Sequence, residues 1–424
     1  NGITLLERLK IIRSNMDKDC LSSKITDIFI LGSGMVGLSI AYQLKEKYPS
    51  LTITIVDKEP EVGLHSSGRN SGVLHAGLYY QPESLKAKVC VKGAKRLRNW
   101  CENERLPILN CGKIITPQKP ELDGQLEVLL KRGQENGAVV ELIDQQQFNE
   151  LAPDGRTSSG RALWSPGTCV VKPILVIQRL KQRLQEQGVK FIMSEKQWKI
   201  EPTKREAMLD DKIKISYGHL FNCTGLQADR VAHQFGVGKE YTMLPFKGSY
   251  WQLREDTPFE FNTNLYPVPD LDVPFLGVHV TPSIDGVTYL GPTATPALGR
   301  ENYSGLQGAE PLMMLKFMQH MATQIMIDKK MRNYFYDQAF EWLPHKFLRA
   351  AQSIIPKLKM SHIKRSKKVG IRPQLYNKIK RELVQDFVML HGNHSTHIIN
   401  AISPAFTASF ELADYILDNS NLTI

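Results

Sequence analysis

The sequence predicts an α/β chain, α+β overall, in which a Rossmann-like domain is interleaved with an antiparallel-sheet domain. Three observations predict it. Residues 24–59, "KITDIFILGSGMVGLSIAYQLKEKYPSLTITIVDKE", run strand, helix, strand around a glycine turn. A second apolar run ending in a glycine turn, "HLFNCTGLQAD", returns only at residues 219–229. Between that return and the C-terminus, "TNLYPVPD", "PFLGVHVTP" and "GVTYLGP" read as strands with turn punctuation.

The first strand is Ile25 to Leu31, an apolar run. The second, "LTITIVD", is rich in β-branched residues. Between them "MVGLSIAYQLKEKY" has helical apolar spacing and a Lys-rich last turn. The turn into this helix carries Gly32, Gly34 and Gly37. Gly32 permits the tight turn, Gly34 lets the backbone approach a pyrophosphate, and Gly37 lets the helix pack on its strand. The helix N-terminus offers N–H groups to the anion. Asp57, about 20 residues on, ends the second strand where it can hold a ribose diol, with Lys58 beside it. Strand, glycines, helix, strand and acid in this order predict a dinucleotide site.

FAD is the dinucleotide expected. The chain does not continue with further βαβ units. It passes into "EVGLHSSGRNSGVLHAG", whose Ser66, Ser67, Asn70 and Ser71 offer donors for a longer cofactor. Thr224 and Gly225, in the later glycine turn, are expected beside the first motif. The helix-then-strand pattern of "VKPILVIQRLKQRLQEQGVKFIMSE" returns the chain to the same sheet. The expected FAD-binding domain is therefore discontinuous, 25–90, 160–230 and 365–424. Residues 91–159 and 235–364 form the expected substrate domain, and 1–24 an N-terminal extension. The methionines of "MLKFMQHMATQIMIDKKMRNYF" are expected in a core rather than around a cofactor.

Composition bounds the function. With 42% hydrophobic and 23% charged residues in 424, the chain is an ordinary globular one. Its net charge of +11 suits anionic small molecules, an anionic membrane surface or nucleic acid. No RNA-binding motif occurs, so nucleic acid is not expected. The cysteines at 20, 90, 101, 111, 169 and 223 form no CxxC pair, which argues against a zinc ribbon and for reduced thiols in a cytosol or organelle matrix. The most apolar stretch is broken by glycines and falls short of a membrane span. The first 24 residues are basic and weakly amphipathic, a reading open between a targeting remnant and a surface helix.

The motifs named so far, together with "GRNSGVLHAGLYYQPESLKAKVCVKGA", "CGKIIT", "PFKGSYWQL", "LYPVPD", "GVHVTPSIDGVTYLGPTA", "GIRPQ" and "NAISPAFTAS", resemble those of the L-2-hydroxyglutarate dehydrogenase/oxidase family, FAD-dependent oxidoreductases of the D-amino-acid oxidase superfamily. The resemblance runs from about residue 25 to the C-terminus. It implies oxidation of a 2-hydroxy acid, L-2-hydroxyglutarate above others, with non-covalent FAD and with oxygen or a quinone as electron acceptor.

Such chemistry needs a base, a carboxylate clamp and a rigid platform. His75, directly after the Ser/Asn loop, is the expected base, and by resemblance it belongs to the family's active-site loop. His279 is the second candidate. Arg372 in "GIRP" is the expected carboxylate ligand, since a guanidinium matches a carboxylate bidentately, and Gly370 of the same motif is expected at the cofactor. Tyr266 and Lys247 are expected to complete the site, although the family has Arg where Lys247 stands. A helix beginning near Ser403–Pro404 is expected to present Ser403 and Ala405 to the flavin edge. The family has Pro where Ile402 stands and a small residue where Phe406 stands. His65 is read as structural, His391, His394 and His397 show no metal spacing, and no metal is expected.

Two other readings stay open: an amino-acid or secondary-amine oxidase of the same superfamily, and a catalytically weak FAD-binding protein of a membrane surface. The basic stretch "SIIPKLKMSHIKRSKKVG" suits peripheral contact with anionic lipid. The expected location is cytoplasmic or the mitochondrial matrix, peripheral on the inner membrane in the sharper version.

Overall fold

The computed structural model describes residues 22–269, 276–327, 329, 332 and 343–422. The extension up to residue 21 with Cys20, positions 270–275 of the expected strands, and most of the Met-rich segment beyond Ile327 lie outside the described residues.

The glycine turn forms as its spacing requires. Strand β1 (Ser22–Leu31) leads into helix α1 (Met35–Lys47), and strand β2 (Ile53–Val56) follows. β1 pairs in parallel with β2 on one side and with Ile213–Asn222 on the other. Lys190–Ile192 extends the sheet beyond β2, and Ser395–Asn400 joins beyond Ile213–Asn222, both in parallel. Segments far apart in sequence thus build one eight-stranded sheet. Its two faces follow the two-residue period of a strand. Ile28 and Ile30 pack with α1 and the helices Pro173–Glu186 and Ser409–Asp418, while Phe29 and Leu31 pack with Ile215 and Tyr217 on the other face. Burial on both faces is what a parallel sheet requires.

The second sheet has ten strands, with the long pair Tyr241–Leu253 and Ile363–Asn377 near one edge and Asn264–Pro267, His279–Pro282 and Thr288–Gly291 near its middle. It is antiparallel except where Asn264–Pro267 runs parallel to Lys113–Thr116. A three-stranded sheet, Val73–Leu74, Cys169–Val171 and Ile108–Leu109, lies beside them.

Three expectations change. Residues 365–377 were assigned to the nucleotide-binding domain, but the strand they form pairs along its length with Tyr241–Leu253 in the second sheet. Residues 161–165 likewise join that sheet, Leu163–Ser165 pairing with Lys113–Ile115 and Arg161–Trp164 with Glu141–Asp144. A strand joins whichever edge its inward side chains complement, which local pattern does not reveal. The described part of the Met-rich segment forms the helix Pro311–Ile327, but of its described methionines only Met321 is in the core; Met314, Met318 and Met326 are exposed, with Leu312, Leu315 and Ile327.

Candidate active site

Two positions around the turn between β1 and α1 have no room for a side chain. Gly32 has φ +99°, and a Cβ there would sit 2.4 Å from the Cys223 carbonyl oxygen. A Cβ on Gly37 would sit 2.2 Å from the Gly32 carbonyl oxygen. Asp57 closes the turn from below: Oδ2 accepts from the Ser33 N–H at 2.7 Å and its hydroxyl at 2.6 Å, and Oδ1 accepts from the Glu59 N–H at 3.0 Å. A carboxylate has about four lone-pair sites, which leaves one for a ribose hydroxyl. Gly34 caps α1 without a side chain and no acid stands in the first turn, so the helix terminus favours an anion. These residues fit a dinucleotide pyrophosphate.

The Ser/Asn loop seals one side. Ser67 Oγ accepts from the Met35 N–H at 2.9 Å, docking the loop on the helix terminus. Asn70 braces the loop, donating to the Ser67 carbonyl at 2.6 Å and accepting from the Gly72 N–H at 2.9 Å. Ser71 Oγ lies at 3.5 Å from the Val73 N–H. Thr224 donates to Asn222 Oδ1 at 2.7 Å, and Gly225 has φ +55°.

From α1's terminus a cavity of about 280 Å³ opens between the two large sheets. Met35, Val36, Ser67, Asn70 and Ser71 line its start, and Gly370, Arg372, Ser403, Ala405, His75, His279 and Tyr266 line its far part. Seven of the residues expected to carry cofactor-edge and substrate chemistry thus meet in one space. Strand geometry explains why. Phe246 pairs with Arg372 and Gly248 with Gly370; alternate residues Phe246, Gly248 and Tyr250 of one strand and the run Gly370–Pro373 of the other line the cavity. Leu265 pairs with Val280, which places Tyr266 beside His279; their rings stack at 3.9 Å.

Three expectations are corrected. Lys247 falls on the alternate position of its strand, does not line the cavity, and donates to Asn302 Oδ1 at 2.6 Å. The last helix begins at Ser409, not near Ser403. Residues 402–408 instead form turns, with the Ala405 N–H on the Ile402 carbonyl and the Ala408 N–H on the Pro404 carbonyl. The Ser403–Pro404 bond is cis. Lys58 turns its side chain to Glu59 and Glu301, at 2.9 and 2.6 Å. It thereby occupies the one place among the described residues where a His and two acids cluster, Glu59, His65 and Glu301. His65 is held there by Tyr303 at 2.8 Å and Glu59 at 2.9 Å. Ile402 and Phe406, where the chain departs from the family pattern, both line the cavity.

The electrostatics set protonation. Burial, then the charges of Lys113 and His279, hold His75 well below the usual imidazole pKa. Burial lowers His279 to about 4. His279 Nδ1 lies 2.9 Å from the Gly277 carbonyl. A carbonyl only accepts, so Nδ1 carries the proton and Nε2 keeps its lone pair. His75 Nε2 is 3.4 Å from Ser403 Oγ.

Sequence reasoning missed two cations. Lys86 is only 7% exposed, and burial, then the nearby Arg372 charge, bring its pKa down to about 7. Its signal was position: Lys86, Val89, Cys90, Gly93, Leu97 and Trp100 share the buried stripe of helix Leu85–Asn103. Lys113 of "CGKIIT" is fully buried in a strand buried at every position.

A glycine-cradled helix terminus at the edge of a parallel sheet, opening on a cavity with a neutral His and an Arg, defines a dinucleotide-dependent oxidoreductase. The model of the FAD dependent oxidoreductase family matches residues 27–417, and this chain belongs to that family. FAD is its cofactor. Over 407 residues the chain is 35% identical to the mitochondrial L-2-hydroxyglutarate dehydrogenase of Caenorhabditis elegans, covering 92% of each chain. With the human enzyme of the same name it shares 33% identity over 422 residues, 94% of this chain and 89% of that one. L-α-glycerophosphate oxidase from Mycoplasma pneumoniae, solved with FAD bound, has the same fold, with a TM-score of 0.71 at 20% identity over 93% of this chain and 94% of that one.

Proposed function

We propose that this protein oxidises the CH–OH carbon of L-2-hydroxyglutarate to give 2-oxoglutarate. The carrying observation is its full-length similarity to enzymes named for that substrate. The meeting in one cavity of His75, which follows the strand Val73–Leu74, and Arg372 of the second sheet supports it. The Gly32–Gly37 turn and the Ser67–Asn70 loop would hold FAD, which would supply a hydride acceptor for the CH–OH carbon. His75, uncharged at neutral pH, takes the hydroxyl proton. Arg372 holds the carboxylate next to the reacting carbon, and the His279–Tyr266 stack walls the cavity against water. Anaerobic mixing of the yellow protein with L-2-hydroxyglutarate, D-2-hydroxyglutarate, L-lactate and sarcosine tests the reading. Bleaching by L-2-hydroxyglutarate alone is expected. Bleaching by sarcosine alone would transfer the protein to the amine oxidases.

The exposed apolar side chains of helix Pro311–Ile327 support a peripheral membrane contact, with a quinone as electron acceptor. No helix among the described residues is long and apolar enough to cross a membrane. The mitochondrial relatives support a mitochondrial location. Co-sedimentation with phosphatidylglycerol vesicles that Met318→Glu abolishes is expected; protein left in the supernatant at low salt would sink the contact.

A further inference from the structure

Behind Tyr266, which lines the cavity, stands an ammonium that neither the fold nor the chemistry so far accounts for. Lys113 is 0% exposed, and its Nζ has no hydrogen-bond partner among the described residues. It lies 4.6 Å from the centre of the Tyr266 ring and 5.2 Å from that of Tyr79. A buried charge without a partner is costly, and the faces of two aromatic rings repay only part of that cost. A charge kept in such a place needs an anion that comes and goes.

Its neighbourhood is left unsatisfied in the same way. His75 Nδ1 and Tyr79 Oη are also shut off from solvent and without partners among the described residues. The Lys113 charge is felt by both His75 and His279, which line the cavity. Two further cations, Arg372 and Lys86, sit near each other, and both Arg372 and Ser403 are felt by Tyr80. His75, within reach of Ser403 and of the Lys113 charge, lies between two positive poles.

We propose that Lys113, with the Tyr79 hydroxyl, is the counter-charge for the second carboxylate of the substrate, the one Arg372 does not hold, and so selects dicarboxylates over monocarboxylates. This rests on the functional reading above for the identity of the substrate, not for the selection itself. The aromatic faces of Tyr79 and Tyr266 hold the ammonium in place between turnovers, and the arriving carboxylate takes over as its partner.

The test is binding, read by perturbation of the flavin absorbance in the FAD-loaded protein, with 2-oxoglutarate compared against 2-oxopentanoate, the same chain length without the second carboxylate. The wild type is expected to prefer 2-oxoglutarate by at least about tenfold, and Lys113→Met to bring the ratio near one with FAD content unchanged. Lys113→Arg should retain most of the preference. An unchanged ratio in Lys113→Met, or an equal loss for both ligands, would overturn the proposal and leave Lys113 a structural cation. Should Lys113→Met fail to fold, the wild type alone decides. Burial brings Lys113 to about 8, while His75 and His279 are already neutral and burial holds Cys90, Cys111, Tyr79 and Tyr266 protonated. Lys86 titrates beside the carboxylate common to both ligands. The ratio should therefore fall as pH rises through the alkaline range, and a flat ratio overturns the proposal. The ratio is independent of turnover: a protein that no 2-hydroxy acid bleaches would still show it, so failure of the functional reading and failure of this one are told apart.

Discussion

His75 follows directly on the strand Val73–Leu74, and its backbone N–H is tied to Thr407 Oγ1 at 3.2 Å, so the loop before the last helix holds it in place. Its neutrality follows from burial and from Lys113, not from its own chemistry. His75→Asn should slow flavin reduction by about 10²–10⁴-fold while FAD stays bound, as measured by anaerobic stopped flow. Since the folded imidazole ionises well below 6.5, the acid limb of kcat/KM should lie below that pH. An acid limb at or above neutrality would assign the base elsewhere. At this scale the sequence was partly legible. His75, His279, Tyr266 and Arg372 were named from motif and resemblance, because each stands in a run whose neighbours are glycines, prolines or apolar residues. Lys247 was misplaced and Lys113 overlooked for one reason: which face of a strand is inside depends on its partner.

Among the helices, Leu85–Asn103 and Ser409–Asp418 meet at a glycine. A Cβ on Gly93 would lie 2.6 Å from the Ala408 Cα, so the first helix touches the backbone of the turn residue that caps the second. The contact fixes where residues 402–407 enter the cavity wall. Gly93→Ala should cost about 1–3 kcal/mol and loosen FAD, seen as a lower Tm and a lower flavin-to-protein ratio after gel filtration. Wild-type values of both would show that the helices can separate without disturbing the turn. Helices and strands were mostly legible from periodicity. The start of the last helix was not: a Pro near a helix start suits its first turn, yet Pro404 lies in a turn that ends before the helix begins.

Across the whole molecule, three buried histidines make the fold sensitive to acid. Burial lowers His219, His279 and His397 to about 4 from 6.5. His219 donates to or accepts from Thr396 at 3.0 Å, and His397 lies 3.2 Å from Asn222, all in the parallel sheet. Each is neutral when folded and ionises near 6.5 once exposed. The unfolded chain therefore binds more protons between those pH values, and stability falls as pH drops through that window. At about pH 5 each group withdraws roughly 2 kcal/mol, somewhat less for His219 and His397, which influence each other. A clear drop of Tm between about pH 7 and pH 5 is expected, smaller in His219→Gln. A Tm that is flat over this range would show that these groups do not govern acid stability.

By itself the sequence determined the glycine turn, the strand and helix periods on either side of it, the acid that ends the second strand, and through their particular spelling the family. Those features are local: a glycine with positive φ, an alternation of two, a period of 3.6. Tertiary structure alone decided that residues 365–377 belong to the second sheet, that Lys247 faces away, that the Ser403 turn replaces a helix start, and that Lys113 stands buried behind the cavity wall. Register and burial are properties of pairs of segments. A one-residue shift in pairing turns every side chain to the other face, and only the assembled sheets say which pairing holds.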